Sequence, residues 1–204
     1  MIIRREGLPY IAPSAFAAAI FTRVRPGLGL LGWGVTMFIA WFFRDPKREA
    51  PKEEGLILSP ADGKVLRVEK TYEDRVGDCT KVSIFMSILN VHINRAIVDG
   101  TVVEKYYRPG KFYMASLLEK TEANERMILY IKNNKGMFRM DQVAGIVARR
   151  IICWPKVGDM LSPGRKIGLI CFGSLLECYI PEAVNVIVRK GNKVSAGQSI
   201  LGRA

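Results

Sequence analysis

Gly158-Asp-Met-Leu-Ser162-Pro-Gly164-Arg-Lys-Ile167-Gly168 and Gly191-Asn-Lys-Val-Ser195-Ala-Gly197-Gln-Ser-Ile200-Leu201 are two copies of one pattern at a constant offset. Gly158/Gly191, Ser162/Ser195, Gly164/Gly197 and Ile167/Ile200 match. Each copy places a turn at Ser-(Pro/Ala)-Gly and a strand after it, because glycine supplies the backbone angles that tight turns need. Two copies are too few for a solenoid. They predict a duplicated strand–turn–strand unit. Cys171-Phe-Gly-Ser174 follows the first copy directly, so Ser174 should lie at the end of a strand leaving the repeat.

The duplicated unit resembles the barrel-sandwich folds of the biotinyl and lipoyl type, so the fold expected is mainly β (α+β). Upstream, short apolar stretches bounded by Gly, Pro, Asp and Asn agree with it: Leu56–Leu58, Lys64–Val68, Val82–Phe85, Ala96–Tyr107, Met127–Ile131 and Val143–Ile152. Several alternate or are β-branched. Asp62-Gly63, Asp99-Gly100 and Asn133-Asn134 mark turns between them. The one helical piece expected in this region is Met114 to Lys120.

Residues 1–50 read differently from 51–204. Leu8 to Thr22 and Gly27 to Phe43 are uncharged and mostly apolar, with Arg4, Arg5, Arg23, Arg25, Arg44, Lys47 and Arg48 around them. Each run is shorter than the roughly 20 residues of an upright span. Two tilted spans, a re-entrant hairpin and an interfacial anchor all fit. A signal peptide is the rival, but Arg23 and Arg25 occupy the expected cleavage region and a second apolar run follows. A buried core hairpin is the plain structural alternative. Trp33, Trp41, Phe42 and Phe43 beside basic residues favour a helical membrane anchor.

The 204 residues carry a net charge of +12, which calls for an acidic partner, nucleic acid or anionic lipid. The apolar N-terminus favours lipid. Cys79, Cys153, Cys171 and Cys178 form no metal-binding spacing and there is one histidine, so no metal is expected, and packed, reduced thiols facing the cytosol are.

Few residues can do acid–base chemistry. His92 is the sole histidine, in a stretch made polar by Ser87, Asn90, Asn94 and Arg95. Asp62 sits in Ser59-Pro-Ala-Asp-Gly-Lys64; alone it reads as turn chemistry, or else as a carboxylate orienting a histidine. Gly173-Ser174 is also weak alone. A serine hydroxyl that loses its proton to a base can attack the preceding carbonyl, and glycine there permits the backbone strain. The ester then eliminates to dehydroalanine, which hydrolyses to a pyruvoyl group, an electron sink for decarboxylation.

Ser59-Pro-Ala-Asp62-Gly-Lys-Val, Phe85-Met-Ser…Asn90-Val-His92-Ile-Asn-Arg95, Tyr107-Arg-Pro-Gly-Lys-Phe112, Asn124-Glu-Arg126, Gln142-Val-Ala-Gly…Ala148-Arg-Arg-Ile151 and Phe172-Gly-Ser174 occur in that order. Over residues 50–204 the chain resembles phosphatidylserine decarboxylase proenzymes of the short, archaeal-type form. The resemblance implies that Asp62, His92 and Ser174 are the self-cleavage triad, that the chain is cut between Gly173 and Ser174, and that the cofactor is a covalent pyruvoyl group made from Ser174. It implies a β chain, 1–173, and an α chain, 174–204, as a heterodimer that dimerises further. The reaction implied is a Schiff base to the serine headgroup of phosphatidylserine, or of an archaeal ether lipid, then loss of carbon dioxide to give the ethanolamine lipid. The location implied is the cell membrane, catalytic domain on the cytoplasmic side. One departure is Leu175, where many short forms have Arg. The rivals are a lipoyl-type carrier, which lacks a modifiable lysine tip here, and a nucleic-acid-binding β protein, which the apolar runs and scattered aromatics oppose.

Overall fold

The computed structural model describes residues 2–114, 118–145, 150–171 and 174–203. The chain divides into two compact units, Met1–Lys47 and Arg48–Ala204.

The first unit is a helical hairpin, α1 (Leu8–Val24) and α2 (Pro26–Phe42), flanked by a two-strand ribbon of β1 (Ile2–Ile3) and β2 (Arg44–Asp45). Arg25 breaks the helix with an extended backbone, and Pro26 opens α2 at a position where a missing N–H costs nothing. Small residues let the helices approach: a Cβ on Gly29 would stand 2.5 Å from Thr22 Cα, and one on Gly32 2.9 Å from Ala18 Cβ. The Thr22 and Thr36 hydroxyls donate back to the Ala18 and Gly32 carbonyls, at 2.8 and 3.0 Å. Each helix has 17 residues, about 25 Å at 1.5 Å per residue. Among the described residues no helix is long and apolar enough to cross a membrane. The large apolar side chains nevertheless point outward, Phe16, Leu30 and Met37 being 70%, 76% and 71% exposed.

The second unit holds β3 (Leu56–Leu58), β4 (Gly63–Glu73), β5 (Gly77–Met86), β6 (Ile93–Arg95), β7 (Gly100–Arg108), α3 (Leu118–Thr121), β8 (Arg126–Asn133) and β9 (Gly136–Val143). After them come β10 (Ile151–Cys153), β11 (Met160–Leu161), β12 (Lys166–Ile170), β13 (Ser174–Pro181), β14 (Asn185–Val186), β15 (Lys193–Val194) and β16 (Ile200–Arg203). An antiparallel eight-stranded sheet, β11-β7-β8-β9-β13-β5-β4-β15, is accompanied by two three-stranded sheets, β10-β12-β6 and β14-β16-β3. The mainly β expectation is met. Of the helix expected at Met114 to Lys120, Leu118–Lys120 is helical as part of α3, Met114 is not, and residues 115–117 lie outside the described residues. Ala96–Val98 is loop rather than strand, and the middle of the Val143–Ile152 stretch, 146–149, lies outside them as well.

The repeat folds as two like copies. Gly158, Gly164, Gly191 and Gly197 have φ of +93°, +76°, +97° and +70°, so all four matched glycines occupy the left-handed region. Each copy docks on its own upstream segment. Gly164 N–H donates to Ala96 O (2.9 Å) as Gly197 N–H does to Ser59 O (2.7 Å); Val102 N–H donates to Asp159 O as Val65 N–H does to Asn192 O, both at 2.9 Å. The upstream segments cross each other reciprocally, Leu58 N–H to Ile97 O and Arg95 N–H to Pro60 O, both 2.8 Å. The halves are thus related by a local two-fold, with Asp62-Gly63 matched to Asp99-Gly100.

β13 runs through the centre of the large sheet, paired with β5 on one edge and β9 on the other. Its side chains alternate between faces. Leu176, Cys178 and Ile180 join the main core with Val82, Ile84, Met86, Phe138 and Met140. Glu177 faces the other way into a buried charged cluster, ion-paired to Lys81 (2.9 Å) and Arg126 (3.0 Å), with Asp141 bridging Arg126 (2.9 Å) and Arg139 (2.7 Å). Burial alone would lower the Arg126 pKa, but Asp141 and Glu177 outweigh it and hold that pKa above its ordinary value. The four cysteines are free, and burial pushes the Cys79, Cys153 and Cys178 thiols up.

Candidate active site

Three loops converge at one end of the large sheet. The register Lys64–Phe85–Leu175–Val143 runs across β4, β5, β13 and β9. Asp62 lies just before β4, Ser87 and Asn90 come after β5, and Ser174 is the first residue of β13. A cleft of about 510 Å³ opens here, lined by Asp62, Lys64, Ser87, Asn90 and Lys193 among others.

Ser174 opens β13 and pairs with Met86. It therefore begins the strand after β12 rather than ending the strand that leaves the repeat. The serine is fully buried, and its Oγ has no hydrogen-bond partner among the described residues. Gly173 lies outside the described residues, and with it the geometry of the expected scissile bond. Leu175, the departure from the short-form pattern, is buried against Val143 and Phe85. A side chain there belongs to the packing, so an arginine would lose that burial.

His92 is buried immediately before β6, and its Nδ1 lies 3.0 Å from Asn90 O. A carbonyl only accepts, so Nδ1 carries a proton. Ile93 pairs with Leu169. Continuing that register sets His92 opposite Ile170, on the segment that runs on toward Ser174. Asp62 is held differently. Its Oδ2 accepts from Arg48 Nη2 at 2.7 Å, Arg48 Nη1 also meets Oδ1, and Oδ1 accepts from Ala196 N–H at 2.8 Å. The three expected residues thus share one end of the sheet, with Asp62 held by Arg48 and the Ala196 N–H and His92 bonded through Nδ1 to Asn90 O.

Residue 174 suits conversion to a keto group. A hydroxyl that makes no hydrogen bond among the described residues forfeits none when a carbonyl oxygen replaces it. Cutting the chain before Ser174 would also leave β13 paired along both edges.

Sequence reasoning missed Arg48, which meets Asp62 only through the fold. It also assigned nothing to Asn94 and Gln142. Asn94 lies two residues beyond His92 on an extended segment, a spacing that puts both on one face. Gln142 stood in the Gln-Val-Ala-Gly motif with no partner in view.

Comparison with known proteins identifies the family. The phosphatidylserine decarboxylase family profile matches residues 35–202. The phosphatidylserine decarboxylase proenzyme of Symbiobacterium thermophilum is 44% identical over 205 residues, covering 99% of this chain and 95% of the relative. That of Syntrophus aciditrophicus is 40% identical (98% and 96%), and that of Beijerinckia indica 43% (98% and 88%). All three are bacterial, so the archaeal part of the resemblance has no counterpart among them. The chain belongs to the phosphatidylserine decarboxylase family.

Proposed function

We propose that this chain is a zymogen that cuts itself between Gly173 and Ser174 and then decarboxylates the serine headgroup of phosphatidylserine. The observation that carries the reading is Ser174: a fully buried hydroxyl without a partner among the described residues, at the first position of a strand clamped on both edges. His92 Nε2 takes the Ser174 proton as Oγ attacks the carbonyl of residue 173 and the peptide C–N bond breaks. Asp62, facing the same cleft as Asn90, supports the positive charge that His92 acquires; Arg48 and the Ala196 N–H hold that carboxylate in place. Elimination of the resulting ester and hydrolysis of the dehydroalanine complete the cut. The pyruvoyl group so made supplies an electron sink for the carboxylate's departing electron pair.

The products are a β chain, 1–173, and an α chain, 174–204, held as a heterodimer by the two edges of β13 and by Glu177 between Lys81 and Arg126. Cleaved protomers dimerise further. The outward apolar faces of α1 and α2, with Arg44 3.6 Å over the Trp41 ring, suit an interfacial hairpin rather than a span. It would hold the enzyme on an anionic bilayer, catalytic unit on the cytoplasmic side. The length of the chain fits the short form of the family, and the bacterial relatives favour diacyl over ether-linked tails as the substrate.

Intact-mass analysis of the expressed chain tests this. Two fragments are expected, the smaller starting at residue 174 with a blocked, hydrazine-reactive end. Ser174→Ala and His92→Ala should each remain one polypeptide of about 22.8 kDa. A wild-type chain that stays whole would sink the proposal, and normal cleavage in His92→Ala would remove His92 from the first step. Carbon dioxide release from diacyl and ether-linked serine lipids, compared on one preparation, decides between the tails.

A further inference from the structure

Inside the sheet end that carries Ser174 lies a second buried polar group with an unmet need. Gln142 is 2% exposed. Its Nε2 donates to Asn94 Oδ1 at 2.7 Å and points at Ile152 O at 3.4 Å. Both acceptors demand an N–H, which fixes which end of the amide is which. The other end, Oε1, has no hydrogen-bond partner among the described residues.

The surroundings are built around this amide. Asn94 is fully buried and its Nδ2 donates to Met86 Sδ at 3.6 Å. Gly168 makes the room: a Cβ there would stand 2.9 Å from Gln142 Nε2 and 2.0 Å from Ile152 O. Register places the group beside residue 174. Gln142 pairs with Leu176 and Met86 with Ser174. Paired residues share a face, as do alternate residues of a strand. The Gln142 side chain therefore shares the face of Ser174, one diagonal step away. Both Ser174 Oγ and Gln142 Oε1 lack partners, so the two do not bond to each other in the uncut chain.

A buried acceptor left empty costs roughly 1–3 kcal/mol, and it is expected to be filled by something that arrives. The cut end at 174 brings only acceptors. The serine headgroup brings N–H donors on its amine. We infer that Gln142 is a substrate-binding residue whose Oε1 accepts a hydrogen bond from the amino group of the lipid headgroup, with Asn94 and Gly168 as its positioning residues. The inference rests on the proposed function, since it assumes that a serine lipid is brought to residue 174.

The test separates the donor from the charge and from turnover. Short-chain, micelle-free lipids with an N,N-dimethylethanolamine headgroup carry one N–H and cannot condense with a ketone; the matching choline lipids carry the same charge and no N–H. Calorimetric titration of the cleaved wild-type enzyme should show about tenfold tighter binding of the dimethyl lipid, the scale of a hydrogen bond to a charged donor. Gln142→Met, close in volume but without a comparable acceptor, should still be cut and should bind the two lipids equally. If the methionine variant does not fold, the paired titrations of the wild-type enzyme carry the test alone. Equal binding by wild type, or an undiminished preference in Gln142→Met, would overturn the inference. A wild-type chain that is never cut would instead defeat the proposed function, and the two failures are told apart by mass before any titration.

Discussion

The two halves of the repeat share their backbone and differ in what they do with it. In each, a left-handed glycine caps a turn against an upstream segment, and an Asp-Gly pair opens a long strand, β4 in one half and β7 in the other. At Asp62 the facing turn offers the Ala196 N–H, which the carboxylate accepts, and Arg48 completes the pair. At Asp99 the matched turn residue is Pro163, which has no N–H to give. Asp99 is exposed, and its carboxylate has no partner among the described residues. One proline therefore separates a carboxylate locked at the mouth of a cleft from one left in solvent. Duplication supplies the scaffold, and side chains at matched positions decide which copy can hold chemistry.

The largest effect should come from breaking the locked carboxylate. Asp62 and Arg48 side chains are only 13% and 11% exposed. Asp62→Ala strands the guanidinium in a nearly dry place, at a cost of about 3 kcal/mol. For a chain of this size that is a melting temperature lower by roughly 6–12 °C. The same variant should cut itself far more slowly, read as loss of the small fragment. Asp99→Ala should stay within about 0.5 kcal/mol of wild type and cut normally. Equal effects at the two sites would mean that the halves are equivalent after all.

A smaller asymmetry should appear at the turn glycines. At Gly197 a Cβ would meet Arg95 Cδ at 2.7 Å and Gly164 Cα at 3.3 Å, whereas at Gly164 the nearest atom is Ala50 Cβ at 3.0 Å. Both need the left-handed backbone, which alone costs a side chain about 1–2 kcal/mol. Gly197→Ala should therefore cost about 2–3 kcal/mol and Gly164→Ala about 1–2. Gly191→Ala and Gly158→Ala, with open space around them, should cost about 1 each and match one another. Urea midpoints in an uncleavable Ser174→Ala background would measure all four on a single chain.

Much of this was legible beforehand, and the gaps have physical causes. The repeat could be read because a left-handed turn leaves glycine as its mark, and β3 was found to the residue because a wholly buried short strand is a plain apolar run. The two strands flanking the site were harder. β9 reads Gly-Met-Phe-Arg-Met-Asp-Gln-Val, and β13 contains Glu177 in the middle of a fully buried strand. Both carry charges that look exposed in sequence and are buried only because Lys81 and Arg126 meet them from neighbouring strands and Arg139 pairs with Asp141 along β9. The three candidate residues were nameable from motifs. Pairings across the fold were not, since Arg48 with Asp62 and Asn94 with Gln142 meet only once the sheets pack.

That charged cluster also provides a reference that lies away from both Asp-Gly turns. Tyr130 OH (2.7 Å), the N–H groups of Arg75 (3.0 Å) and Val76 (2.9 Å), and Arg139 (3.1 Å) all give hydrogen bonds to Glu73. Burial pushes its carboxyl up, but these four donors outweigh it and hold its pKa below the ordinary carboxylate value. A carboxylate with a lowered folded pKa stabilises the protein above its unfolded pKa of about 4.3. That contribution is lost as the pH falls through the folded value. Glu73→Gln should thus be less stable than wild type at pH 7, and the gap should close below about pH 4. Melting curves from pH 7 to pH 3 for the two proteins should converge; parallel curves would show that Glu73 is not held as an anion by these donors. Because the cluster lies apart from both Asp-Gly turns, Asp62→Ala should keep the same Glu73-dependent acid limb, so that what it loses at neutral pH belongs to its half of the repeat and not to a general loosening of the sheet.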